Sequence, residues 1–492
     1  MKKINKMIEK YHIQAQNKLI DILVGKHKLE KQNAIHTAKI IAMHAFAEMQ
    51  RSFVYQDGDS ANDFLSSKND LFAAMIRNKE NVPFVHWSWT ALRIPFYQSV
   101  GDTIGYFNGR WEFNYGNIRA GPEYSNEMLY EFIALGGINN LSIENWKASD
   151  DTILYIATME ILGNEIDNVN ESTKKLVNLN TNSNDANTLP DNIIFFGEKL
   201  RNAYLASRSL IENRDPGQTT MDSLAIQENK KWDQLSYNSR AIGNGSAMRS
   251  GCIGIFYPGK FNRLELISRA IESSRITHNS TVANLGSVTA ALFTAYALEK
   301  KPVNIWPRKL FKFLQSSIID DYMKKYHSDE FPQYDREKTI FIGQWDNYLN
   351  RRFNGTQKIE QKFMKNIVER YKYLSENFSK GCDIPGACAD DALIFAYDAL
   401  LQSEGVLEKV VIYSALHPGD SDTVASIALS WYGAYYHTID NEICAEHYFE
   451  NLEFKKRLIK IFNDNIYKML KIYYYDIYLD FASRQIKQFV DR

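Results

Sequence analysis

"WKASDDTILYIATMEIL" (residues 146–162) puts two neighbouring aspartates, Asp150 and Asp151, at the mouth of an apolar, helix-like run. Like charges repel, so a pair about to be buried calls for a reason. Reading outward, helical periodicity dominates. Ile4, Met7, Ile8, Tyr11, Leu19, Ile22 and Leu23 recur at three- and four-residue steps up to Gly25. Residues 33–53 and 69–79 repeat the pattern. Further on, Gly-rich loops of uneven length alternate with Ala-rich helical runs. The longest apolar stretch, "VTAALFTAYAL" (288–298), is too short for a bilayer and reads as a core helix. No alternating strand ladder and no repeat period are found. The expectation is an all-α chain with a helical N-terminal extension (1–88), a main domain (89–465) and an amphipathic helical tail (466–492). The Asn-rich segment 168–192 reads as a surface loop.

Bulk composition narrows the function classes. Of 492 residues, 45% are apolar and 24% charged, with a net charge of −1. That balance offers no field of one sign to a nucleic acid or an acidic membrane, and neither is expected as a partner. Cys252, Cys382, Cys388 and Cys444 form no CxxC pair, which favours a reducing compartment. With no continuous apolar stretch near the N-terminus, a cytoplasmic location is expected.

The aspartate pair has a partner in "HPGDSDTVASIALSWYGAYYH" (417–437), where Asp420, Asp422 and Thr423 open another Ala-rich run. One such cluster alone is an ordinary helix cap. Two clusters, each heading a buried-looking helix, point to a cation that offsets their repulsion. Oxygen donors with hydroxyls beside them suit Mg²⁺, Mn²⁺ or Ca²⁺ rather than zinc. Four aspartates plus Ser149 and Thr423 suffice for two ions. "GDTIGYFNGRWEF" (101–113) adds Asp102, read as a cap, and Glu112, either an extra ligand or base or a surface glutamate. In "YNSRAIGNGSAMRSGCIG" (237–254), Gly243 and Gly245 expose backbone N–H groups before a helix, an arrangement that can cradle phosphate or simply turn the chain. His278 can donate to a phosphate or cap a helix. Asp390 and Asp391 read as caps. "GIFYPGK" (254–260) is not a P-loop, because Phe261 stands where the metal-binding Ser or Thr is needed. There is no HExxH and no GxSxG.

Taken in order, "GDTIGYFNGRWEF", "WKASDDTILYIATMEIL", "GNGSAMRSGCIG", "THNSTVANLGSVTAALFTAYAL" and "HPGDSDTVASIALSWYGAYY" resemble the ADP-ribosylglycohydrolase family. "RDPGQTTMDSL", "GQWDNYL" and "DALIFAYDALL" are similar to its ADP-ribosylarginine hydrolase branch. The resemblance covers about residues 90 to 460. It implies a compact all-α domain with two Mg²⁺ ions, Mn²⁺ being an alternative, held by Ser149, Asp150, Asp151, Asp420, Asp422 and Thr423. It further implies Asp150, Asp151 and Glu112 as the catalytic set, with Glu112 also on the substrate side. Asn244, Gly245, Ser246, Met248 and His278 would hold the diphosphate, and the Gly381–Ala387 loop, with Gly381 and Gly386, would border the distal ribose and adenine. The implied reaction is hydrolysis of ADP-ribosylated arginine in proteins, releasing ADP-ribose. ADP-ribosylserine, a non-catalytic ADP-ribose reader and a toxin-neutralising hydrolase that captures a partner through residues 1–88 are the alternatives. Two departures stand out: "THNSTV" lacks the usual Pro after the His, and "GCDIPGACADDA" lacks the expected serines.

Overall fold

The computed structural model describes Gln32 and residues 83–114, 121–165, 188–353, 366–379, 381–436 and 447–465, with Met469. The expected N-terminal helices, the Asn-rich loop and the helical tail lie almost wholly outside these residues. Helices α1 (Pro83–Tyr106), α2 (Tyr124–Ala134), α3 (Gly137–Asn140) and α4 (Asp150–Glu165) come first. They are followed by α5 (Asp191–Ile211), α6 (Gln218–Gln227), α7 (Ala247–Phe256), α8 (Arg263–Arg275) and α9 (Thr281–Leu298). Next in order are α10 (Trp306–Leu314), α11 (Ser317–Tyr326), α12 (Phe331–Phe353) and α13 (Ile367–Phe378). The series closes with α14 (Asp391–Ser403), α15 (Leu407–Ala415) and α16 (Ser421–Tyr435). The described residues contain no strand, and the all-α expectation holds; an isolated antiparallel bridge joins Gly243 to Cys388. The chain divides into two compact units, 1–90 with 259–262 and 463–492, and 91–258 with 263–462.

The larger unit is built around α9. Its composition is apolar on every side, as a helix needs when no face meets water, and every one of its residues is buried. The helix is long and apolar enough to cross a membrane by length and composition, yet it is wholly enclosed by protein. Ser280 caps it by accepting from the Ala283 N–H at 3.2 Å. Helices α7, α8, α12 and α16 pack along it, and α4 and α14 complete the layer that carries the acidic clusters. Phe293 on α9 meets Trp306, Trp345, Tyr397 and Trp431 with ring centroids 5.2–5.7 Å apart. Such aromatic pairs add about 0.5–1.5 kcal/mol each beyond area burial.

Asp398 is among the charged groups buried in this unit for structure alone. Asp398 on α14 accepts from Arg352 Nε at 2.7 Å, Arg370 Nη2 at 3.0 Å and the Tyr348 hydroxyl at 2.8 Å. Burial pushes its carboxyl up, but Arg352, Arg370 and Tyr348 outweigh burial and hold it below the usual carboxylate range. A depressed carboxylate contributes stability that is complete above the unfolded value of about 3.9 and is lost as pH falls through the folded value. Asp398→Asn is therefore expected to cost about 3–5 kcal/mol, because two buried guanidinium groups lose their counter-charge. Thermal melts from pH 3 to 8 check this. The variant melts lower at neutral pH, and the gap to wild type narrows in acid.

Cys382 and Cys388, which the sequence reading left unpaired, form a disulfide with Cα atoms 6.0 Å apart. A spacing of six residues carries no CxxC signature, and only the backward fold of the loop before α14 brings them together. Cys252 is free and buried.

Candidate active site

The two acidic clusters head α4 and α16, and the fold brings these helix entrances together. Thr423 Oγ1 donates to Asp151 Oδ1 at 3.2 Å, and Ser426 Oγ donates to Asp151 Oδ2 at 2.8 Å. Glu112, Asp420 and Asp422 each present an oxygen within 4.8 Å of the others. All five carboxylates and Ser149 are buried. Glu112 is therefore no surface glutamate, despite its aromatic neighbours.

Several of the carboxylates are placed by traceable contacts. Asp102 is indeed a cap, but for α4 rather than for its own helix. Its carboxylate accepts the Ser149 N–H at 3.1 Å and the Thr152 N–H at 3.1 Å. Ser149 Oγ accepts the Asp151 N–H at 3.1 Å, so three N–H groups at the start of α4 have side-chain partners. Ala148, one residue earlier, is held from both sides. Glu453 accepts its N–H at 3.1 Å, and Arg214 donates to its carbonyl at 2.6 Å. Arg214 and Glu453 join each other through two 2.8 Å bonds. Neither residue was expected from sequence.

The α16 side is set by Asp420, whose side chain caps that helix by accepting from the Thr423 N–H at 3.3 Å. Asn244 Nδ2 donates to Asp420 Oδ2 at 2.9 Å and to the Gly386 carbonyl at 2.7 Å. Through that one amide, the expected diphosphate loop, the expected distal loop and the acidic cluster share a node. The Asp420 N–H also donates to the Pro385 carbonyl at 3.0 Å. Asp391, expected as a cap, has both oxygens engaged by the Gly386 and Cys388 N–H groups at 3.0 Å.

Helix α1 reaches the cluster because Gly101 and Gly105 carry no side chain. A Cβ on Gly105 would lie 2.5 Å from the Ser421 carbonyl oxygen and 2.6 Å from Asp422 Cα. One on Gly101 would run into the Ala425 carbonyl. Beyond α1 the chain turns sharply, with Phe107, Asn108 and Phe113 all at positive φ. The Phe113 N–H donates to the Gly419 carbonyl at 3.2 Å, which carries Glu112 onto Asp420.

The electrostatics are one-sided. Burial, first, and neighbouring carboxylates, second, push Glu112, Asp150, Asp151 and Asp422 well above the usual carboxylate range. Burial also raises Asp102 and Asp420. Among the described residues no Lys or Arg forms an ion pair with any of the six; the positive charge felt by Asp150 is that of Arg249. Arg249 is buried beneath the Gly243–Met248 loop, donating to the Gly245 and Ser273 carbonyls at 2.9 and 2.8 Å. Glu112 Oε2 is buried without a hydrogen-bond partner. A set of oxygen donors with an excess of negative charge and an orphaned carboxylate oxygen is chemically matched to a hard divalent cation.

The remaining expected residues fall around this cluster. Asn244, Ser246 and Met248 are buried at the start of α7. His278 is 2% exposed and lies under the loop, where a Cβ on Gly245 would be 2.8 Å from its ring. Burial and Arg249 lower it to about 3, so its ring is neutral. Gly386, at φ +91, lies inside the disulfide-bridged loop, and Gly381 immediately precedes it. Ser426, unforeseen, lies three residues beyond Thr423 on the same helical face.

Core helices thus bring their capped N-termini together over a buried, oxygen-lined acidic centre. The chain belongs to the ADP-ribosylglycohydrolase family, whose profile matches residues 98–468. It is thus a hydrolase of that family, acting on substrates that carry ADP-ribose. Among relatives, a protein of Acanthamoeba polyphaga mimivirus provisionally named an ADP-ribosyl glycohydrolase is 51% identical over 408 residues, covering 82% of this chain and 76% of its own. The ADP-ribosylhydrolase ARH1 of Dictyostelium discoideum is 32% identical over 364 residues, covering 69% of this chain and 84% of its own. A solved ADP-ribosylglycohydrolase-related protein complex aligns at TM-score 0.42 and 15% identity over 78% of this chain and 99% of that one, too weak a likeness to add to the argument.

Proposed function

We propose that the protein is a divalent-metal-dependent hydrolase of ADP-ribosylated arginine, freeing ADP-ribose and the unmodified side chain. The observation that carries the reading is the buried carboxylate cluster, which has no cationic side-chain partner among the described residues and is topped by the unpartnered oxygen of Glu112. Ser149, Asp150 and Asp151 from α4 and Asp420, Asp422 and Thr423 from α16 would hold two Mg²⁺ ions, with Mn²⁺ as substitute. When bound, the pair supplies a template for the ribose hydroxyls and positive charge at the cluster.

The rest falls to the chain itself. A carboxylate takes a proton from water as the water oxygen bonds to ribose C1. The C1–N bond breaks, its electron pair passes to the guanidine nitrogen, and that nitrogen is protonated as it leaves. Oxocarbenium-like charge at C1 is offset by nearby carboxylates. Glu112 is the better base than Asp151, because both Asp151 oxygens already accept hydroxyl hydrogen bonds whereas Glu112 Oε2 accepts none. The motif "RDPGQTT", similar to that of the ADP-ribosylarginine hydrolase branch, supports arginine as acceptor.

The test is release of ADP-ribose from arginine-, serine- and glutamate-linked ADP-ribosyl proteins, with Mg²⁺ or with EDTA. Release from the arginine-linked protein alone, abolished by EDTA, is expected. Release from the serine-linked protein in preference, or an unchanged rate in EDTA, would overturn the proposal.

A further inference from the structure

The turn that carries Glu112 is in contact with a second carboxylate that none of the cluster's own elements supplies. The Tyr106 hydroxyl donates to Asp215 Oδ2 at 3.0 Å. A Cβ on Gly109, itself at φ +78, would stand 2.9 Å from that same oxygen. With no side chain at position 109, the turn passes close to this carboxylate without displacing it. Asp215 is exposed, in contrast to Glu112, and no Lys or Arg among the described residues pairs with it. Its neighbour Arg214 is already fully committed to Glu453 and Ala148.

We propose that Asp215 and Glu112 form a two-carboxylate recognition site for the guanidinium of the substrate, with Asp215 as the specificity-determining residue on the solvent side. This rests on the arginine reading above.

A guanidinium presents five N–H donors in a planar fork and cannot be satisfied from one edge. Glu112 offers a buried carboxylate on the same turn. Asp215 offers a carboxylate at the rim, where the rest of the arginine side chain returns to solvent. Tyr106 orients it: burial first, and then Asp215 itself, keep that phenol protonated and donating. A serine hydroxyl or a carboxylate acceptor has no positive charge to meet this pair. The arrangement therefore discriminates between linkages as well as binding one of them.

Asp215→Asn removes the charge but keeps an oxygen for the Tyr106 hydroxyl and a residue that tolerates the observed φ of +51. The expected result is a rise in KM for arginine-linked substrate of about tenfold, with kcat changed much less. Affinity for free ADP-ribose, measured by calorimetry, stays within twofold. The wild-type KM rises with added NaCl, and that dependence flattens in the variant. A merely structural role predicts instead an unaltered KM and an unaltered salt response in Asp215→Asn. That result, with an active wild type, overturns the inference and leaves the arginine reading standing. A wild type that releases nothing from arginine-linked substrate removes both together.

Discussion

Asp422→Asn is expected to lower ADP-ribose release by on the order of 10²–10⁴-fold, the span set by losing one essential proton-transfer or ion-holding group. The fold should survive, because the substitution deletes one of several buried carboxylates that repel each other. Burial, Glu112, Asp420, Asp151 and Asp102 all act to disfavour the charge on Asp422. In EDTA the variant should melt at or above the wild-type temperature. In the wild type, Mg²⁺ should raise that temperature; in the variant this rise should shrink or vanish. Single-turnover release and paired melts with and without Mg²⁺ measure both halves. A variant that turns over near the wild-type rate would remove Asp422 from the site.

The second large effect is expected at a residue that carries no side chain at all. Gly105→Ala adds one methyl group against the backbone of Ser421 and Asp422, at 2.5–2.7 Å. Backbone atoms cannot swing aside as a flexible side chain does, so α16 must move away from α1. Overpacking of this kind costs about 1–3 kcal/mol. The displaced segment carries Asp422, and misplacement of a reacting group by about 1 Å costs about 10²-fold in rate. Gly343→Ala is the control. It sits within α12 with nothing near its would-be Cβ, and should be neutral to slightly stabilising. Equal melting temperatures and equal rates for the two variants would contradict this account of the α1–α16 crossing.

Much of the fold could be read before the coordinates, because three- and four-residue apolar spacing survives in almost every segment. The acidic centre was legible for a related reason. Aspartates at the entrances of apolar helices are local patterns, visible within a dozen residues. Glu112 was only half legible: its aromatic neighbours fit a surface position as well as the buried one it occupies. What escaped is what depends on distant pairs. Arg214 and Glu453 are 239 residues apart, and no local spacing announces their shared grip on Ala148. Asp102 was read as a cap, but its target is another helix. Ser426 could have been found, since it repeats Thr423's face one turn on. The burial of His278 beneath the loop is likewise something a single histidine in sequence does not reveal.

The grip on Ala148 also bears on biosynthesis. Its two halves come from Arg214 and Glu453, and the Asp151 contacts to α16 span 272–275 residues. A nascent chain that has left the ribosome only as far as α9 holds half an acidic centre and one arm of the brace. The α1 surface at Gly101 and Gly105 still waits for the helix it is shaped to meet. Contacts of such long sequence separation form late and slowly. Catalytic competence should therefore arrive in one step, once residue 453 has emerged, rather than accumulate as each helix appears.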